Sequence, residues 1–165
     1  MKIALAQLNY HVGDFSANSG KIVDSIRRAK SMNADLVVFS ELSVCGYPAL
    51  DFLDYNYFIK CCNDALSSIA AECVGITAIV GAPSLNADPK GKNLFNSAFV
   101  LSEGKVAAVR NKTLLPTYDV FDEYRWFESN RDFACVDING VKVALTVCED
   151  LWNMNDDPLY TSYPM

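Results

Sequence analysis

Cys148 ends an apolar run and is followed at once by two carboxylates. The run Val141-Lys142-Val143-Ala144-Leu145-Thr146-Val147, opened by Gly140, is short and rich in valine, which predicts a buried strand. Glu149 and Asp150 have the character of an acidic first helical turn, where the helix dipole favours negative charge. A thiol at such a strand-to-helix corner lies near helix N–H groups, which lower its pKa and favour the nucleophilic thiolate. The competing reading is an inert cysteine that merely packs. His11 is the only histidine, which weakens any Ser-His-Asp or Cys-His mechanism, so a nucleophilic cysteine here needs a different base. Two further ionisable residues stand at the exits of apolar runs. Glu41 follows Leu36-Val37-Val38-Phe39-Ser40, and Lys112 follows the stretch from Lys105 to Val109. The C-terminal end of a buried strand is where α/β sheets place functional groups. The plainer reading of Glu41 and Lys112 is a pair of solvated charges.

The elements that must position these residues belong to one ordinary domain. The chain has 165 residues, 51% hydrophobic and 21% charged, a globular balance with enough residues for a real core. Its formal net charge of −6 argues against nucleic acid or an anionic membrane as partner. No apolar run is long enough to span a bilayer, and Met1 to Leu5 lacks a signal-peptide pattern, so a cytoplasmic protein is expected. The six cysteines, at 45, 61, 62, 73, 135 and 148, are irregularly spaced and read as free thiols. With one histidine and no Cys-x-x-Cys, no metal site is expected.

Along the chain, Lys2 to Asn9 reads as a first strand, and Asp14 or Ser16 as the cap of a helix carrying Ile22, Val23, Ile26 and Ala29 on one face. Ala34 to Phe39 is a second, fully apolar strand. Val44-Cys45-Gly46-Tyr47-Pro48 is turn-like, and a second helix is expected from about Asp54 to Cys73. A third strand, Ile76 to Val80, is expected to end at Gly81-Ala82-Pro83. Leu94–Leu101 and Lys105–Val109 then form a hairpin. The segment from Asp119 to Asn130 carries Tyr124, Trp126 and Phe127 and reads as a pocket wall. Phe133–Ile138 and Val141–Val147 form a second hairpin through Asn139-Gly140. This order suggests a layered α/β fold with a mixed sheet, and no glycine-rich nucleotide motif is present.

Taken together, the three strand exits resemble the nitrilase, or carbon–nitrogen hydrolase, superfamily. The matching blocks are Phe39-Ser40-Glu41-Leu42, Arg110-Asn111-Lys112-Thr113-Leu114-Leu115-Pro116 and Thr146-Val147-Cys148-Glu149-Asp150-Leu151-Trp152. Three further stretches are similar to the amidase domain of glutamine-dependent NAD synthetases: Glu41 to Pro48 with Asp51, Leu114 to Arg125, and Cys148 to Trp152. The resemblance implies a nitrilase-type α-β-β-α sandwich with mixed sheets. It implies a catalytic triad of Glu41 as proton shuttle, Lys112 as oxyanion stabiliser and Cys148 as nucleophile. Glu123 corresponds to an auxiliary glutamate that orients the lysine, and Tyr118 to a tyrosine at the glutamine site. Asn96, Glu149 and Trp152 match family positions without an assigned role. The implied reaction is hydrolysis of glutamine, the ammonia passing to a separate synthetase domain that amidates deamido-NAD. ATP and magnesium are expected in that absent domain and no cofactor in this chain. A homo-oligomer is expected.

The resemblance covers essentially all of the chain, yet the family's amidase domain is roughly one and a half times as long. Residues 1–165 are thus expected to be the N-terminal part of a single amidase domain, incomplete at the C-terminus. Alone, such a piece would leave sheet edges open and is expected to be poorly active or to dimerise. Two other readings stay open: a stand-alone amidase such as an ω-amidase or carbamoylase, and a non-catalytic nitrilase-like interaction module.

Overall fold

The computed structural model describes residues 1–153. Strand β1 (Ile3–Ala6) leads into helix α1 (Phe15–Ser31), whose first turn is capped by the Asp14 carboxylate accepting from the Ala17 N–H at 3.0 Å. Asn18, Ile22, Ile26 and Ala29 recur at helical spacing and are the buried residues of α1. Strand β2 (Leu36–Phe39) is apolar throughout because it is flanked on both sides. Helix α2 (Asn56–Ala71) buries Phe58, Ile59, Cys62, Leu66, Ile69 and Ala70. Then come β3 (Thr77–Leu85), β4 (Leu94–Ser102) and β5 (Lys105–Asn111), and a separate hairpin of β6 (Val136–Ile138) and β7 (Val141–Val143).

The five strands lie in the order β1-β2-β3-β4-β5. The first three are parallel, connected by α1 and α2, and the last three antiparallel. One face packs against both helices, joining Ile22, Ile26, Leu66 and Ile69 to Val37, Ala78, Val80 and Leu101. The opposite face, with Leu36, Ile79, Ala98 and Val100, meets the second sheet through Val136 and Ile138, and Val147 beyond that sheet joins the same cluster. Helix layer, sheet and second sheet are the first three layers of the expected α-β-β-α sandwich. The second sheet is small, and on β1 the side chains of Ile3 and Leu5 are 49% and 81% exposed. Among the described residues no helix is long and apolar enough to cross a membrane.

Several strand boundaries differ from expectation, among them β1, which stops at Ala6 short of Asn9. Strand β3 runs on through Gly81 and Pro83, paired with β4 as far as Leu85–Leu94. Past Ile79 it has left β2 behind, and a strand flanked on one side accommodates proline. The second hairpin is shorter than expected at both ends. Arg110 explains the late start of β6: its guanidinium donates to the carbonyls of Ala134 (2.6 Å) and Cys135 (3.3 Å), taking the acceptors that a longer strand would need. Residues 144–147 consequently have no ladder partner and reach Cys148 as irregular backbone. The turn itself is as expected, with Asn139 and Gly140 both at positive φ (53° and 78°).

Candidate active site

Glu41 leaves β2 into a tight turn whose Leu42 has φ 46°. That turn is fastened to β3. The Val44 N–H donates to the Gly81 carbonyl (3.1 Å), and the Gly81 N–H donates to Ser43 Oγ (3.2 Å). The approach is possible only because residue 81 has no side chain. A β-carbon there would lie 2.7 Å from the Ser40 carbonyl oxygen and 2.8 Å from the Glu41 carbonyl carbon, and nearer still to the Leu42 nitrogen. Lys112 is the first residue beyond β5. Its N–H donates to the Asn96 carbonyl on β4 (2.7 Å), and its own carbonyl accepts from the Asn130 N–H (3.0 Å). Glu123 opens a single 3-10 turn, Glu123–Arg125, held by its N–H on the Pro116 carbonyl (3.1 Å) and by the buried Phe127 just beyond.

These elements bring three charged side chains together. The Lys112 side chain is 0% exposed, and its Nζ stands 2.7 Å from Glu41 Oε1, 2.9 Å from Glu123 Oε1 and 2.8 Å from Glu123 Oε2. Burial pulls the lysine pKa down, but the two carboxylates outweigh it and hold the ammonium charged, above its ordinary value. Glu123 is pushed up, chiefly by burial and then by Glu41, with Lys112 and Tyr47 pulling the other way. Asn96, fully buried on β4, donates from Nδ2 to Glu41 Oε1 at 2.6 Å and reaches Glu123 Oε2 at 3.4 Å. Tyr47 donates its hydroxyl to Glu123 Oε1 at 2.9 Å.

Cys148 sits beside this cluster with φ 48°, in the left-handed region that non-glycine residues rarely adopt. It opens the 3-10 helix Cys148–Asn153, is exposed, and shares with Ser40, Glu41 and Gly81 an open groove of about 430 Å³ walled by apolar residues of both sheets. The expected depression of its thiol pKa is not what the surroundings produce. Loss of solvent on its inner side pushes the thiol up, Glu41, Glu123 and Glu149 add to this, and only Lys112 pulls it down. Glu149, one of the two acids expected to mark a helix start, thus opposes the thiolate, which leaves proton removal to a base.

The corner is tied to the lysine loop by Asp150. Its Oδ1 accepts from the N–H groups of Thr113 (2.9 Å) and Leu114 (2.8 Å), and its Oδ2 from that of Val147 (2.9 Å). One buried carboxylate therefore spans from the residues after Lys112 to the residue before Cys148. Tyr118, 47% exposed, donates its hydroxyl to both carboxylate oxygens of Glu149 (3.0 and 2.9 Å) beside the same corner.

Residues 2–156 match the family model described as carbon-nitrogen hydrolase. The chain belongs to the carbon–nitrogen hydrolase family. It is 40% identical over 155 residues to the glutamine-dependent NAD(+) synthetase of Xanthomonas campestris pv. campestris (strain 8004), covering 92% of this chain and 27% of that protein. A synthetase of the same name from Synechocystis sp. is also 40% identical, with 92% and 28% covered. Among solved structures, glutamine-dependent NAD+ synthetase from Acinetobacter baumannii superposes with a TM-score of 0.83 at 37% identity, covering 91% of this chain and 28% of that one. An amidase from Nesterenkonia sp. shares the fold, with a TM-score of 0.75 at 24% identity over 92% of this chain and 56% of that one. The chain spans little more than a quarter of the length of the synthetases it matches.

Within this carbon–nitrogen hydrolase fold, Glu41, Lys112 and Glu123 form one largely buried cluster, with Cys148 on the adjoining groove and Tyr118 hydrogen-bonded to Glu149. Trp152 does not join them and is 63% exposed. Sequence reasoning gave no role to three residues that the fold draws in. Tyr47 was hidden in a turn signal and Asp150 in a helix-start signal. Asn96 left a trace: a carboxamide inside the apolar run Leu94–Leu101 needs hydrogen-bond partners once buried.

Proposed function

We propose that this chain is the N-terminal part of the glutamine amidase domain of a glutamine-dependent NAD synthetase, and that Cys148, Glu41 and Lys112 hydrolyse the side-chain amide of glutamine. The observation that carries the reading is the fully buried Lys112 ammonium between Glu41 and Glu123, with Glu41 lining the groove that holds Cys148. In this mechanism Glu41 takes the thiol proton as Sγ attacks the amide carbonyl carbon. The carbonyl π electrons move to oxygen. An ammonium has three hydrogens; two go to the carboxylates, and the third is available to the developing oxyanion. Collapse of the tetrahedral intermediate breaks the C–N bond, and Glu41 returns its proton to the leaving ammonia. Water, deprotonated by Glu41, then cleaves the thioester to release glutamate and the thiol. Glu123 holds Lys112 in place, and Tyr118 with Glu149 borders the glutamine site. Base and oxyanion stabiliser each contribute on the order of 10²-fold or more.

In the same reading ammonia passes to a synthetase domain elsewhere in the polypeptide, where ATP and magnesium would serve the amidation of deamido-NAD. Among the described residues no cluster of three or more His, Cys, Asp or Glu side chains is arranged to hold a metal, and no step above uses one. A cytoplasmic location and homo-oligomeric assembly belong to this reading. In the complete polypeptide, Cys148→Ala should abolish glutamine-dependent NAD synthesis and leave ammonia-dependent synthesis intact. Retained glutamine hydrolysis would refute the nucleophile, and hydrolysis of a different amide in place of glutamine would favour a stand-alone amidase.

A further inference from the structure

The base in this cluster has two oxygens, and they are treated differently. Glu41 Oε1 receives two donors, Lys112 Nζ at 2.7 Å and Asn96 Nδ2 at 2.6 Å, whereas Oε2 has no hydrogen-bond partner among the described residues. The orientation of the Asn96 carboxamide follows from chemistry: its nitrogen faces carboxylate oxygens of Glu41 and Glu123, and the reverse would set oxygen against oxygen. That choice leaves Asn96 Oδ1 buried with no partner among the described residues. A side chain present only to fill β4 would not be expected to leave a buried acceptor unpaired, since an apolar residue of similar size avoids that penalty. Its backbone carbonyl meanwhile accepts the Lys112 N–H at 2.7 Å, so one residue registers both the base and the cation.

We infer that Asn96 is a positioning residue for the acid–base pair, clamping Glu41 by Oε1 so that Oε2 is the oxygen that takes and returns the proton of Cys148. This rests on the amide-hydrolysis reading above. Without the Nδ2–H bond the Glu41 carboxylate is held by Lys112 alone and can turn about its last torsion, so that either oxygen faces the groove.

The test compares Asn96→Ala and Asn96→Asp in the complete polypeptide, following kcat and KM for glutamine from acid to alkaline pH with thermal unfolding alongside. Asn96→Ala should lower kcat by about 10- to 100-fold with little change in KM, by a factor that does not depend on pH. Asn96→Asp carries a donor only while protonated. Below the titration of the introduced carboxyl group, its O–H replaces the Nδ2–H bond and activity returns towards wild type. Above it a third carboxylate repels Glu41, and activity falls below that of the alanine variant. A ratio of Asn96→Asp to wild type that declines with rising pH, at unchanged unfolding temperature, supports the clamp. A flat ratio, or losses that track unfolding, overturns it. If wild type itself shows no Cys148-dependent glutamine hydrolysis, the amide-hydrolysis reading has failed instead, and the two failures are distinguishable.

Discussion

The two halves of the candidate site are built on opposite principles. The half carrying Glu41, Lys112 and Glu123 is largely buried, drawn from two strand ends of one five-stranded sheet and a 3-10 turn, and cross-linked by Asn96 and Tyr47. The half carrying Cys148 is exposed, lies beyond a three-residue strand, and is held in register mainly by Asp150. A charged cluster in a protein interior is tolerated only when its geometry is fixed and its groups are paired, so the acid–base half has to be rigid. In the proposed mechanism Cys148 must instead meet a substrate, and a thiol that remains protonated can stay open to solvent without being consumed by it. The fold confines rigidity to where charge is buried and leaves access at Cys148, the proposed point of attack.

The largest break in that contrast should come from Lys112→Met, which keeps much of the side-chain volume but removes the cation. Two carboxylates are then left facing each other without their partner, at a cost of about 3–5 kcal/mol. Chemical denaturation should report this loss, together with a fall in the proposed glutamine hydrolysis of at least ~10²-fold. An unfolding midpoint equal to wild type would mean that the cluster is far less dependent on the ammonium than its burial implies.

Asp150→Ala attacks the other half. It strips acceptors from the N–H groups of Thr113, Leu114 and Val147, and a buried unsatisfied group costs about 1–3 kcal/mol. The effect on stability should be about 2–4 kcal/mol, with relaxation recovering part of the sum. Activity should fall more than in any surface variant, because the cysteine corner is no longer tied to the lysine loop. Hydrogen exchange would check it directly: faster exchange at 113, 114 and 147, with slow exchange retained in β3 and β4, separates the two halves.

The smallest effect is a displacement of titration. With its thiol pushed up, Cys148 should react with iodoacetamide along a curve that inflects at higher pH than a free peptide thiol, followed for the Cys148 peptide by mass spectrometry. Lys112 is the group that draws the thiol down, so Lys112→Met should move the inflection to still higher pH. A shift towards acid would reverse the electrostatic account.

Much of this was legible in the sequence because it is local. Apolar runs gave β2 and β4, helical spacing gave α1, Asn139-Gly140 gave the last hairpin, and Glu41, Lys112 and Cys148 each stand at the exit of such a run. What escaped was contact between distant residues. Tyr47 meets Glu123 across 76 positions and Asn96 meets Glu41 across 55, and nothing near Tyr47 or Glu123 announces the other. The irregular path from Ala144 to Val147 escaped for a similar reason. Its place at the end of a valine-rich run favours a strand, but the carbonyls it would pair with are taken by Arg110, a residue far earlier in the chain.

Gly81 has a bearing on how this protein could be altered. Glycine inside a strand is a usual target for stabilisation, since a side chain with better strand propensity recovers about 0.5–1 kcal/mol. Here that substitution would push a methyl group into the backbone on either side of Glu41. The flexibility surrendered at residue 81 is thus exchanged for the height of a carboxylate above its neighbours. A chain given a side chain at this point should gain no stability, and should keep its thiol and its ammonium while Glu41, the proposed proton acceptor, is displaced.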